Sequence, residues 1–165
     1  MRCAAGFGFI ALAVIMVVTP YGAMAAKPAV STISREPLYA GLVKSARTLK
    51  METDRFSARP VLAVLGTARF KTYARNIRAL SANDMKGHFT LRDRGTDNDL
   101  KCILMGVSRD LEIKMTKIEA AKSDTELGTA FHDMSELLSD NVDVIVTPAT
   151  TDSGLDCVIE FGKGA

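Results

Sequence analysis

Few side chains in this sequence have both the type and the spacing to do chemistry. His88 stands four residues before Arg92 and next to Asp93 and Arg94, within the stretch 81–95. A histidine among arginines and an acid can form a polar site for proton transfer or for an anionic ligand. His132 and Glu136 are spaced i, i+4, which can place two ligands on one metal. His88 is the one other histidine, so a metal centre would need carboxylates or methionine to complete it. A solvent-facing helical His–Glu pair explains the spacing with less. Asp93, Asp97 and Asp99 look like fragments of a calcium loop, but the ordered D-x-D-x-D-G pattern and its distant Glu are missing. Capping of a helix start accounts for Asp97 and Asp99. No G-x-S-x-G names a nucleophile, and no spacing argues for haem. The reading is therefore no metal, no cofactor and no catalytic residue.

The cysteines say more about address than about catalysis. Arg2, the apolar run Phe9–Val18 and the small-x-small site Ala23-Met24-Ala25 have the layout of a secretory signal peptide. The run is well short of the roughly 20 residues that span a bilayer. Cleavage near Ala25 removes Cys3 and leaves Cys102 and Cys157. A pair of cysteines in an exported chain reads as a disulfide. With no CxxC, CxxCH or Cys/His cluster, zinc and redox-motif readings have no support. The expected location is periplasmic or secreted.

Charge is nearly balanced, with 21 basic and 19 acidic residues over the full chain. It is unevenly distributed, however. Between Ser57 and Leu80 there are five cations and no acid, and Lys71, Arg75 and Arg78 lie together opposite the apolar stripe. Asp133, Glu136 and Asp140 form the reverse pattern on a later helix. A basic stripe can dock an acidic partner or an anionic envelope component; two ordinary solvated faces are the simpler account. Nucleic acid is disfavoured, because no aromatic residue interleaves the stripe. The candidate binding residues are Lys71, Arg75, Arg78, His88, Arg92 and Arg94.

The elements that must position these residues follow from periodicity. Residues 26–33 form a lead-in without a regular element. Ser34 is expected to cap a first helix with the stripe Leu38, Leu42, Ala46, Leu49 and Phe56. After Ser57 and Pro60 a second helix runs to about Leu80, with Leu62, Gly66, Phe70, Tyr73 and Ile77 inward, and Gly66 predicts close approach of another backbone. The stretch 81–95 reads as a long loop hiding a strand at His88–Leu91. A third helix, Thr96–Ala121, carries Leu100, Leu104, Val107, Leu111 and Ile118 on one side and Cys102, Gly106 and Ile113 on the other. It is expected to be central, covered on both sides. Ser123 to Glu126 is a capping box opening a fourth helix with Leu127, Phe131, Met134 and Leu138 inward. Val142, Val144 and Val146, and then Leu155, Cys157, Ile159 and Phe161, alternate at period two around a turn-rich segment and predict a hairpin.

The expected fold is thus α+β: a signal peptide at 1–25, then one domain over 34–165 of four antiparallel helices with a C-terminal β-hairpin. A Cys102–Cys157 disulfide should clamp that hairpin to the third helix. The expected function is a small exported non-enzymatic protein that binds another protein or envelope component, an inhibitor or immunity-type role being one form of it. A small hydrolase with its site on 81–95 and a carrier with an apolar pocket are the alternatives.

Overall fold

A computed structural model describes residues 32–96 and 98–147 of the chain. Among them there is no strand. Four long helices follow one another: α1 (Pro37–Ser57), α2 (Ala68–Arg94), α3 (Asn98–Ala120) and α4 (Asp124–Val146). The fold is therefore all-α over the described residues, not α+β.

Local chemistry sets the boundaries. Pro37 occupies the first turn of α1, where its missing N–H leaves no unmet bond. Ser34 is not the cap; it lies in a short 3-10 turn, Ile33–Arg35, ahead of the helix. After Pro60 the chain makes a second 3-10 turn, Leu62–Gly66, and Thr67 caps α2 by accepting from the Phe70 N–H at 3.1 Å. No atom lies within 4 Å of where a Gly66 Cβ would stand, so no backbone approaches it. At the far end Gly95 takes the left-handed conformation at φ 65°. Its N–H donates to the Arg92 carbonyl while that of Thr96 reaches the Leu91 carbonyl, a Schellman closure that needs a residue tolerant of positive φ. The Ser123–Glu126 cap forms as expected on one side, Ser123 Oγ accepting from the Glu126 N–H. On the other side the Glu126 carboxylate accepts from Lys122 N–H, one residue upstream of the usual reciprocal bond.

Consecutive helices are antiparallel neighbours, as short connections favour. Phe56 of α1 meets Phe70 of α2 while Tyr39 reaches Gly87. Ser81 of α2 meets Ser108 of α3 while His88 reaches Lys101. Lys50 and Asp54 of α1 meet Ser135 of α4, which closes the bundle. No helix is central: α3 borders α2 and α4, and Ile113 on its back is 52% exposed. One apolar core runs through the bundle, with Tyr39, Tyr73, Phe131, Ile77, Leu104, Leu111 and Met115 among its buried side chains.

Two expectations fail for identifiable reasons. The stretch 81–95 is not a loop and His88–Leu91 is not a strand, because α2 continues to Arg94. Its inward stripe goes on as Ser81, Asp84, Gly87, His88 and Leu91, mostly polar residues that break the apolar signal but keep the helical step. The first strand of the predicted hairpin is helical too. Val142 and Ile145 continue the α4 stripe from Leu138 into the core. Their burial outweighs the few tenths of a kcal/mol by which β-branched residues disfavour helix. The second strand, Leu155–Phe161, lies outside the described residues. So does Cys157, and with it the predicted clamp; Cys102 is buried on α3.

Candidate functional site: the outer face of α2

Continuing α2 to Arg94 places two groups of candidate residues on one element. At 1.5 Å per residue its 27 residues span about 40 Å. Lys71, Arg75 and Arg78 lie on its outer side, and steps of three and four residues carry that side on through Ala82, Lys86 and Phe89. Lys71, Arg75, Lys86, Phe89 and Arg92 are exposed. Asp93 is the single exposed acid of the helix, and it is paired with Arg92 at 2.8 Å. Arg92 also lays its guanidinium over the Phe89 ring, 4.7 Å from the centroid. A stacked Arg–Phe pair, with the ring 43% exposed, is the kind of rigid amphipathic element found at binding hot spots.

The candidate cations do not behave alike. Arg78 is neutralised: its Nη2 donates to both carboxylate oxygens of Glu119 of α3, at 2.9 and 2.8 Å, and its Nε lies 3.7 Å from Glu112. Arg94 pairs with Glu36 at the start of α1 at 2.8 Å. Lys71, Arg75 and Lys86 have no acidic partner among the described residues; Arg75 donates to Thr72 Oγ1. Lys86 and Phe89 were missed in the sequence. The signal for them was the step from Arg78 through Ala82, legible once no break is placed at Leu80.

His88 does not belong to this surface. It is 6% exposed, and its Nδ1 is held 2.8 Å from the Lys101 carbonyl of α3. Neither an acid nor a hydroxyl reaches its ring among the described contacts, so the predicted polar site with Arg92 and Arg94 is not assembled. His132 and Glu136 pair at 3.4 Å on the exposed side of α4. Among the described residues no three His, Cys, Asp or Glu side chains gather in metal-binding geometry.

A serine, a lysine and an aspartate do converge, between α1 and α4. Lys50 Nζ donates to Ser135 Oγ and Asp54 Oδ2, both at 3.0 Å, and Ser135 Oγ donates to Asp54 Oδ1. A serine nucleophile paired with lysine needs that amine neutral to take its proton. Here the ammonium is ion-paired and the hydroxyl proton is directed at Asp54. The Ser135 hydrogen bond above all holds the Asp54 carboxyl below its ordinary value; burial opposes it, and the hydrogen bond and charge of Lys50 add to the lowering. The cluster is a staple between two helices.

Two solvent-open grooves lie among the described residues. One, of about 430 Å³ between α1 and α2, is lined by small and polar side chains, Gly41, Ser45, Thr48, Asn76 and Asn83 among them. A second, of about 410 Å³, lies between the end of α3 and the start of α4 around Ala121 and Ala130. No helix among the described residues is long and apolar enough to cross a membrane. In comparisons with known proteins, the chain matches no family model, no curated protein and no solved structure.

Proposed function

We propose that this is an exported, non-catalytic binding protein that docks an acidic protein or an anionic envelope component on the outer face of α2. The observation that carries the reading is the exposed Phe89–Arg92 stack. It lies on the same helix as Lys71, Arg75 and Lys86, three cations without an acidic partner among the described residues. Complementary charge of this kind acts mainly on encounter rate, while a desolvated aromatic–arginine anchor acts on residence. The burial of His88 against the Lys101 carbonyl favours a surface-binding role over a hydrolase built on that residue.

The test is association of the purified protein with extract of its native envelope, compared with two variants. Lys71→Glu with Arg75→Glu reverses charge without breaking an ion pair, and Arg78 is left alone because it holds Glu112 and Glu119. The expected result is an association rate lowered roughly tenfold or more, with a flatter salt dependence. Phe89→Ala should instead speed dissociation. Anionic lipid vesicles, run in parallel with neutral ones, separate a lipid partner from a protein. A partner retained equally by all three proteins at low salt would refute the proposal.

A further inference from the structure

The centre of the bundle contains a hydrogen-bond deficit. Asp84 of α2 and Asn141 of α4 are both 0% exposed. Asn141 Nδ2 donates to Asp84 Oδ2 at 2.8 Å, and that is the one bond between them. Asp84 Oδ1 and Asn141 Oδ1 are left without any partner. Two orphaned acceptors in an apolar interior are costly, since neither meets a protein donor.

The neighbourhood does not compensate a charge there. From α1, Tyr39 turns its hydroxyl to the Gly87 carbonyl, one turn along α2. From α2 itself, His88 is engaged by Lys101 O, and Ser81 donates to the Ser108 carbonyl of α3. At the next turn α3 brings Leu104, whose Cδ1 lies 3.1 Å from where a Gly87 Cβ would stand. From α4 comes the uncharged amide of Asn141. Asp84 is the one carboxyl among the buried described residues, and no described cation is within ion-pair distance.

We infer that Asp84 is a proton-binding site: the folded protein holds it as the neutral acid, and its deprotonation loosens the contact that Asp84 of α2 and Asn141 of α4 make across the core. The missing element is one hydrogen. A proton on Oδ1 turns one of the two orphaned acceptors into a donor, which the Asn141 oxygen across the pair can accept. An ionised carboxylate leaves both orphans in place and adds an uncompensated buried charge. Burial, partly offset by the Asn141 hydrogen bond, pushes the Asp84 carboxyl up to about 8, in agreement with the geometry.

The sign of the linkage follows. In the unfolded chain Asp84 ionises near 4, while in the bundle it keeps its proton to about 8. Its contribution to stability is complete below about pH 4. It is lost as pH rises to about 8, the folding constant falling about tenfold per pH unit in that window. The device thus tightens in acid and loosens in alkali. It is independent of the α2 surface and needs no ligand.

The experiment follows the Asp84 carboxyl carbon by NMR in the full chain across pH 3–10, with hydrogen exchange measured in parallel. The expected result is a carboxyl that remains protonated at neutral pH, with faster exchange around residues 80–91 and 138–145 as it ionises. In Asp84→Asn, which carries no ionisable proton, the extra fall of stability between about pH 4 and 8 should vanish, and the alkaline rise in exchange should shrink to the intrinsic base-catalysed one. Every other titrating group is common to the two proteins and cancels in the difference. A carboxyl carbon that titrates near 4 in the folded wild type would overturn the inference, and that readout stands even if the variant fails to fold.

Discussion

The phenol of Tyr39 on α1 donates a hydrogen bond to the backbone carbonyl of Gly87 on α2 at 3.1 Å. The contact is possible because residue 87 has no side chain. A Cβ there would stand 3.1 Å from Leu104 Cδ1, 3.3 Å from Tyr39 Cε1 and 3.4 Å from Leu42 Cδ1. Three helices therefore close on one glycine. Its place in mid-helix, disfavoured by propensity, is explained by that approach.

Gly87→Ala should accordingly destabilise. The gain in helix propensity is about 1 kcal/mol, against a crowding cost of typically 1–3 kcal/mol, for a net loss of about 1 kcal/mol. Gly41→Ala is the control: nothing lies within 4 Å of its Cβ position on α1, so propensity alone should stabilise by about 1 kcal/mol. Urea titrations of both variants check the opposite signs. Equal shifts in the same direction would remove the close approach at Gly87 as the cause.

Ser135→Ala should release the Asp54 carboxyl. Its value is depressed chiefly by the Ser135 hydrogen bond. Asp54 therefore contributes stability that is present above about pH 4 and is lost as pH falls through its folded value below that. Removing the hydroxyl should raise the carboxyl toward the ordinary range, and Lys50 should keep it from returning fully. Because Asp54 is half exposed, the effect on stability should stay under about 1 kcal/mol. NMR titration of Asp54 in the two proteins is the measurement; an unchanged value would mean that Lys50 alone sets it.

Phe131→Ala should be the most damaging single truncation of the α1–α2–α4 core. The Phe131 ring stacks on Phe56 at 5.2 Å and meets Phe70 and Tyr73 edge-on at 6.4 and 6.3 Å. The expected loss is about 3–5 kcal/mol, a large share of a typical domain stability of about 5–15 kcal/mol. The denaturation midpoint should fall with little change in slope. A loss below about 1 kcal/mol would mean that the aromatic cluster is not packed as described.

Export is a proposal resting on Arg2, Phe9–Val18 and Ala23-Met24-Ala25, all outside the described residues. Intact-mass analysis of the protein purified from its own host should find an N-terminus at or next to Ala26. A chain retaining Met1 would remove the basis for placing the binding partner in the envelope.

By itself the sequence determined most of the helical scaffold. Leu42, Ala46, Leu49, Phe70, Tyr73, Ile77, Leu104, Leu111, Ile118, Phe131 and Leu138 were legible as inward positions, and all are buried. Large apolar side chains at a 3.6-residue step leave few other ways to be covered. Tertiary structure alone decided where that step is carried by polar residues. Ser81, Asp84, Gly87 and His88 are inward only because Ser108, Asn141, Tyr39 and the Lys101 carbonyl come from other helices to meet them. No single-chain pattern announces partners 13 to 57 residues away. The same reason separates Val142–Val146 from the strand its alternation suggests: a short apolar run fits either period until a core is there to choose between them. The α2 face was likewise divided at Leu80 in the sequence, and only the packing of that polar turn against α1, α3 and α4 makes Lys71 and Phe89 residues of one continuous helix.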